Sequence, residues 1–159
     1  MSRLVRAGLL TAVTDGLFSS VLVVAAYGST VTRLWQGVAA VLLGPGAFDG
    51  GLRTALVGLA MHVAVAFTWS AVFLVLVRRA SWLRRLVGSR YGVLKVAAVY
   101  GPLVWTVMSL VVIPLLVRRP PTIGFRWWVQ LVGHFPFVGL PIVAGIGLPP
   151  AGGEPAGRG

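Results

Sequence analysis

Four long apolar stretches constrain the fold of this chain more than any other feature of its sequence. They cover residues 8–27, 54–77, 92–117 and 127–148. About 20 residues of α-helix cross a hydrocarbon core of roughly 30 Å, so each stretch is long enough to span a bilayer. Inside a bilayer, the backbone groups of a single apolar segment are satisfied only in a helix. The sequence therefore predicts an all-α, polytopic membrane protein with four transmembrane helices in a bundle.

The composition supports a membrane protein with one domain, residues 1–148. Hydrophobic residues make up 57% of the chain and charged residues only 11%, whereas soluble domains contain about 25% charged residues. The net charge of +11 comes from basic residues that lie between the apolar stretches. We therefore expect the lipid bilayer as the partner and no binding of nucleic acid. Residues 149–159 are rich in Pro and Gly and are predicted to form a disordered tail.

The positions of the basic residues predict the orientation, because cytoplasmic loops of membrane proteins are enriched in Lys and Arg. Nine of the 14 lie on the side that holds the two termini and the loop between the second and third stretches. Both termini are therefore predicted to be cytoplasmic. The five on the opposite side include Arg118, Arg119 and Arg126, which we expect to contact lipid headgroups.

The first outer segment contains a further apolar run, residues 30–43, that is too short to cross a bilayer. Within it Val31, Trp35 and Val38 recur with helical spacing. This pattern predicts a short interfacial helix, which lies on the membrane surface or dips into it.

Three ionisable side chains fall inside the predicted spans, where charge is costly and marks functional sites. They are Asp15, His62 and His134. At 1.5 Å per helical residue, both histidines are predicted to lie roughly 5 Å to the outer side of the midplane. Met108 falls at the same depth, and Asp15 lies slightly to the cytoplasmic side of its span's centre. The polar faces of the helices are therefore predicted to converge.

Further polar side chains share helix faces with these three residues. Each lies four or eight residues from Asp15, His62 or His134, and residues four apart lie on the same side of a helix. Together they form a predicted polar seam. Its members are Thr11, Asp15, Ser19, His62, Ser70, Gln130 and His134.

The sequence leaves three interpretations of this seam open. Its groups could hydrogen-bond one another and hold the helices together, at about 0.6 kcal/mol per bond. They could instead pass a proton or a small solute, since chains of Asp, Glu and His mark such paths. Pro102 and Pro114 in the third stretch, and Pro136 and Pro141 in the fourth, would free helix carbonyls or allow hinge motion along that path. Four helices are few for a transporter, so this interpretation also predicts a homodimer or a larger membrane complex.

The third interpretation is metal or haem binding by His62 and His134, with Met108 at the same depth. Imidazole and thioether groups are common axial ligands of haem iron. The chain has no Cys and therefore no Cys-x-x-Cys-His attachment motif, so only non-covalent haem b would be bound.

Catalysis has little support in the sequence. The two acids other than Asp15 are Asp49 and Glu154, which lie in the outer segment and the tail, so no carboxylates are paired. The Ser, His and Asp residues do not follow a catalytic spacing. We predict a protein that is not an enzyme and assign no catalytic residue. Its expected role is structural or accessory, or it passes a small solute or a proton through the polar seam.

Several short motifs run through the chain. They are Gly58-Leu59-x-x-His62, Val112-x-Pro114-Leu115 and, after His134, Gly139-Leu140-Pro141. With them the chain resembles a widespread, uncharacterised family of small bacterial inner-membrane proteins with four helices. The resemblance covers nearly the whole chain, with one departure at Ser109, where the family has Asn. It implies the four-helix fold and a bacterial inner-membrane location, and it implies no activity.

Overall fold

A computed structural model describes residues 1–147, which are helical and contain no strand. The predicted all-α fold is confirmed for this part of the chain. The predicted tail, residues 149–159, lies outside the described residues. The helices are α1 (Arg3–Ala25), α2 (Val31–Leu43), α3 (Gly51–Arg79), α4 (Ser81–Val87), α5 (Gly92–Val107), α6 (Ile113–Val117), α7 (Phe125–His134) and α8 (Leu140–Gly147).

Three short segments between these helices have turns that are tighter or wider than those of an α-helix. A 3₁₀ turn at Pro45–Asp49 joins α2 to α3. A π-helical turn at Met108–Val112 joins α5 to α6, and a second one at Phe135–Gly139 joins α7 to α8. The two π-helical turns leave α5–α6 and α7–α8 as two continuous helical runs.

Four helical runs are long and apolar enough to cross a membrane. They are Arg3–Ala25, Gly51–Arg79, Gly92–Val117 and Phe125–Gly147. The third has the predicted bounds, and the others start or end up to five residues away from them. The differences arise because turns that carry charged residues continue the helix beyond the apolar part. At the start of α1, for example, Ser2 caps the helix by accepting a hydrogen bond from the Val5 N–H at 3.3 Å.

The first and last helices meet at one end of the molecule. Arg6 donates from Nε and Nη2 to the Gly145 carbonyl at 3.1 and 2.7 Å, and Arg3 donates to the Ile146 carbonyl at 3.4 Å. Basic side chains at a helix C-terminus satisfy its last carbonyls and complement its dipole. We call this end, where α1 begins and α8 ends, the Arg6 end. The opposite end, where α1 ends and α7 begins, is the Tyr27 end.

The hydrophobic core lies where α1, α3, α4, α5 and α8 pack together. Its fully buried side chains include Phe73, Ile142 and Ile146. Two glycines allow α5 to approach the second π-helical turn closely. A Cβ atom at Gly101 would meet the carbonyl group of His134, and one at Gly139 would meet the carbonyl oxygen of Ala97. Such contacts between small residues are typical of membrane helix pairs, and this one positions the backbone of His134 against α5.

The predicted short outer helix is present as α2, and it packs against α3 and also contacts α1 and α6. A Cβ atom at Gly58 would meet the carbonyl group of Trp35 and would lie 3.1 Å from the Ala39 nitrogen. The Gln36 amide donates to the Gly51 carbonyl at 3.0 Å. Trp35 and Gln36 are both buried. The Trp35 ring is therefore directed toward α1 and α3 rather than away from them.

Candidate functional site

Asp15 on α1 and His62 on α3 form the centre of the candidate site. Asp15 Oδ2 lies 3.8 Å from His62 Nδ1, and each side chain is only 14% exposed. The other ring nitrogen, Nε2, lies 3.1 Å from the carbonyl oxygen of Ala12. A carbonyl oxygen only accepts hydrogen bonds, so Nε2 carries a proton and donates it. In neutral His62, Nδ1 is then the unprotonated nitrogen that faces the carboxyl group.

An aromatic ring and a glycine complete the surroundings of His62. The Trp35 ring lies 5.1 Å from the imidazole, centroid to centroid, at an interplanar angle of 53°. A Cβ atom at Gly16 would lie 3.5 Å from both His62 Nε2 and the Trp35 ring. The missing side chain at Gly16 therefore gives both rings room beside α1. A protonated imidazole beside an indole ring gains a cation–π interaction.

His134, the last residue of α7, is 8% exposed and has a similar environment. Its Nδ1 lies 2.7 Å from the carbonyl oxygen of Gln130, so Nδ1 is the donor. The Trp105 ring lies 4.9 Å from the imidazole. The residue before it, Gly133, lies against Phe18 of α1, since a Cβ atom at Gly133 would meet the Phe18 ring. His134 is therefore on a helix that packs beside the helix of Asp15.

A proline stands two residues after the end of each π-helical turn. Ile113 and Leu140 close the two turns by donating to Met108 and Phe135, and Pro114 and Pro141 come next. A proline cannot donate to the carbonyl four residues before it. The carbonyl that Pro141 leaves without this donor is that of Phe137, and it lies 2.7 Å from Thr14 Oγ1. The second π-helical turn, which follows His134 directly, is thereby joined to α1 by a hydroxyl that divides its single proton between the Phe137 carbonyl and the Leu10 carbonyl of its own helix, 2.8 Å away.

Five buried polar side-chain atoms have no hydrogen-bond partner within residues 1–147. They are Thr11 Oγ1, Asp15 Oδ1, Tyr27 OH, Trp105 Nε1 and Gln130 Oε1. About nine in ten buried polar groups in proteins are hydrogen-bonded, and those that are not call for an unseen water, an ion or a functional role. The five atoms belong to α1, α5 and α7 or to the residues that follow α1. Of these helices, α1 also carries Asp15 and α7 also carries His134.

The other predicted site residues are placed apart from this pair. Ser70 donates to the Ala66 carbonyl of its own helix at 2.8 Å. Ser19 is half-buried and makes no hydrogen bond within the described part of the chain. Met108 packs against the hydrophobic core. Of the three predicted headgroup arginines, Arg119 and Arg126 line a cleft at the Tyr27 end, whereas Arg118 does not.

The arrangement favours hydrogen bonding over metal ligation. Both ring nitrogens of His62 already face acceptors, Ala12 and Asp15. Residues 1–147 include no group of three or more His, Asp and Glu side chains that could hold a metal ion. Neutral His62 keeps a free lone pair on Nδ1, but Asp15 is the one further ligand beside it, and two ligands make an incomplete metal site.

Sequence reasoning missed the tryptophans of the site. Trp35 and Trp105 each contact a histidine ring, and Trp127 donates from Nε1 to Ser109 Oγ at 2.9 Å. Trp105 could have been found from its predicted depth in the membrane. It lies within one helical turn of Met108 and therefore near the predicted level of the histidines. For Trp35 no such signal exists, since its contact depends on how α2 docks.

Comparison of the chain with family models, with curated proteins and with solved structures finds no match. The resemblance to a family of four-helix inner-membrane proteins therefore stays a prediction. The functional conclusion rests on the geometry of the site alone.

Proposed function

We propose that the protein is a multi-pass protein of the bacterial inner membrane that moves protons, or a small polar solute, along its polar seam. In this proposal it is not an enzyme, its termini are cytoplasmic, and the Arg6 end faces the cytoplasm. The observation that carries the proposal is the buried pair of Asp15 Oδ2 and His62 Nδ1, 3.8 Å apart. Between apolar helices such a pair is expensive, and it is typical of proton and ion paths.

The chemistry of the pair suits a proton relay. Because His62 Nε2 donates to the Ala12 carbonyl, Nδ1 and the carboxyl oxygen are both acceptors unless one of them holds a proton. A proton on Oδ2 gives a neutral acid beside a neutral imidazole, and a proton on Nδ1 gives a carboxylate beside an imidazolium. The two states differ by the position of one proton. Because 3.8 Å exceeds a hydrogen-bond distance, the proton passes through a bridging water or after a small side-chain rotation that shortens this distance. The Trp35 ring stabilises the imidazolium form.

The unpartnered polar atoms extend the pair in both directions along the helices. Thr11 lies one turn from Asp15 toward the Arg6 end, and Gln130 lies one turn from His134 toward the Tyr27 end. Both carry a buried polar atom without a partner among the described residues. Groups that served only to hold helices together would bond to each other. Polar atoms without partners, spaced along the helices, can form transient hydrogen bonds to water or to a solute.

The distribution of charge supports the proposed orientation. Eight of the 14 basic residues belong to the start of α1, the end of α3, α4 and the start of α5, at the Arg6 end. Five belong to the segments at the Tyr27 end, and Arg158 lies outside the described residues. The more basic side of a membrane protein is usually cytoplasmic. The contacts of Arg6 and Arg3 with α8 bring the first and last described helices to that side.

The exposed surface suits a lipid partner and leaves room for a second copy. Large apolar side chains such as Leu9, Val13 and Leu17 on α1 are 45 to 62% exposed. In a bilayer this surface contacts acyl chains or another copy of the chain. Haem or metal binding by His62 and His134, with Met108, is the weaker alternative, because no group of three potential metal ligands lies together within residues 1–147 and Met108 packs against the hydrophobic core.

The test is proton flux into liposomes that contain the purified protein and an internal pH-sensitive dye. A potassium diffusion potential provides the driving force. We expect flux above that of protein-free liposomes, and a loss of at least about tenfold in Asp15→Asn and His62→Gln, since a positioned proton-transfer group contributes about 10²–10⁴-fold. Thr68→Ala on the same helix as His62 is the matched control, because Thr68 is exposed, lies outside the polar seam and bonds through its hydroxyl only to the Ala64 carbonyl of its own helix. Wild-type flux equal to that of empty liposomes, or unchanged flux in Asp15→Asn, would overturn the proposal.

A further inference from the structure

A cleft of about 340 Å³ opens at the Tyr27 end, between the end of α1, α6 and the start of α7. Its lining includes Tyr27, Trp105 and Gln130. These residues supply three of the five buried polar atoms that lack a partner among the described residues: Tyr27 OH, Trp105 Nε1 and Gln130 Oε1. The cleft therefore has unused hydrogen-bonding groups in its wall.

The charge of the cleft is positive. The lining contains Arg119 and Arg126 and no acidic residue. Arg126 lies over the Tyr27 ring, with Cζ 4.1 Å from the ring centroid. Within residues 1–147 neither arginine forms an ion pair or a side-chain hydrogen bond. Two guanidinium groups with free donors, beside a phenol and an indole N–H, recognise an anion.

A phosphate group suits these donors. The phosphodiester of a lipid headgroup carries two non-bridging oxygens and one negative charge, and a guanidinium can bind both oxygens in parallel. The Tyr27 hydroxyl and the Trp105 N–H are buried in the cleft wall, and they add two neutral donors when the side chains that cover them move aside for the ligand. The Gln130 amide adds a further donor when it turns its nitrogen inward, because its two ends are interchangeable in shape.

The rest of the cleft is apolar and is formed by Ile113, Pro114 and Val117 among others. We infer that the cleft binds the phosphate headgroup of an anionic phospholipid, with the apolar wall against the lipid's glycerol and acyl part. This inference uses the membrane location proposed above, but it does not depend on the proton path. A soluble phosphate would use the same donors, so the test separates the two sources.

The test measures lipid retained by the detergent-purified protein in native mass spectrometry, together with its melting temperature. The probes are phosphatidylglycerol, phosphatidylcholine and inorganic phosphate. We expect half-saturation by phosphatidylglycerol at a concentration about tenfold lower than by phosphatidylcholine. Tyr27→Phe and Arg126→Gln should each weaken phosphatidylglycerol binding about tenfold, a change of about 1.4 kcal/mol. Helical circular dichroism checks that each variant is folded.

Arg118→Gln is the matched control, because it removes the same charge from the same loop but lies outside the cleft lining. It should bind phosphatidylglycerol as the wild type does. Stabilisation by inorganic phosphate equal to that by phosphatidylglycerol would keep the phosphate site and assign it to a soluble ligand. An equal affinity for the two lipids, with no effect of inorganic phosphate, would overturn the inference. So would an equal loss in Arg118→Gln, because general surface charge would then explain the binding.

Discussion

Asp15 on α1 and His62 on α3 place a carboxyl oxygen and a ring nitrogen 3.8 Å apart in a site where each side chain is 14% exposed. The Ala12 carbonyl, on the same helix as Asp15, determines which ring nitrogen faces the acid. One helix therefore supplies both the acid and the acceptor that orients its partner. The Trp35 ring of α2 packs against the same imidazole.

We expect Asp15 and His62 to be energetically coupled. Asp15→Ala and His62→Ala should each lower the stability of the folded protein, by about 3–5 kcal/mol if the remaining group stays charged. The double variant should lose less than the sum, with a coupling energy of at least about 1 kcal/mol. Thermal unfolding in detergent, followed by circular dichroism, measures all four proteins. Strict additivity would mean that the two groups do not interact.

Gly58 should be essential for the docking of α2. A Cβ atom there would meet the carbonyl group of Trp35, so Gly58→Ala forces the two backbones apart and should cost about 1–3 kcal/mol. Gly37→Ala on α2 is the control, because a Cβ atom there meets nothing within 4 Å and the change improves helix propensity. Thermal unfolding separates the two. A neutral Gly58→Ala would show that α2 is not held by this contact.

Thr14 and Pro141 should be coupled across α1 and α8. Thr14→Val removes the hydroxyl 2.7 Å from the Phe137 carbonyl and should cost about 0.5–1.5 kcal/mol. In a Pro141→Ala background the new N–H at residue 141 can donate to that carbonyl, so the same change should cost less. Unfolding of the four proteins in the cycle gives the coupling energy. An equal cost in both backgrounds would contradict a carbonyl freed by the proline.

The proposed orientation can be tested without background labelling, because the chain contains no Cys. Gly46 lies in the turn after α2, and Ser89 lies between α4 and α5. In intact cells we expect a membrane-impermeant maleimide to label Gly46→Cys and to leave Ser89→Cys unlabelled. Ser89→Cys should react once the membrane is permeabilised. The reverse pattern would place the Arg6 end outside.

Length and hydropathy alone predicted the four long helical runs, one of them with the bounds that the structure has. The approach of Asp15 to His62 was also predictable in outline, because depth along a helix follows from counting residues. These properties are local: each depends on one segment and on its position along the helix axis. The sequence by itself therefore determined which segments are helical and at what level their polar groups lie.

Only the tertiary structure decided which faces of the helices meet. Helices that are apolar on most sides give little periodic signal about their neighbours, so close packing selects the partners instead. The contact of Trp35 with His62 depends on the space at Gly58 and Gly16, and that of Thr14 with the Phe137 carbonyl depends on Pro141. The unpartnered atoms at the Tyr27 end could not be predicted either. Whether a buried polar atom has a hydrogen-bond partner depends on how several segments of the chain pack around it.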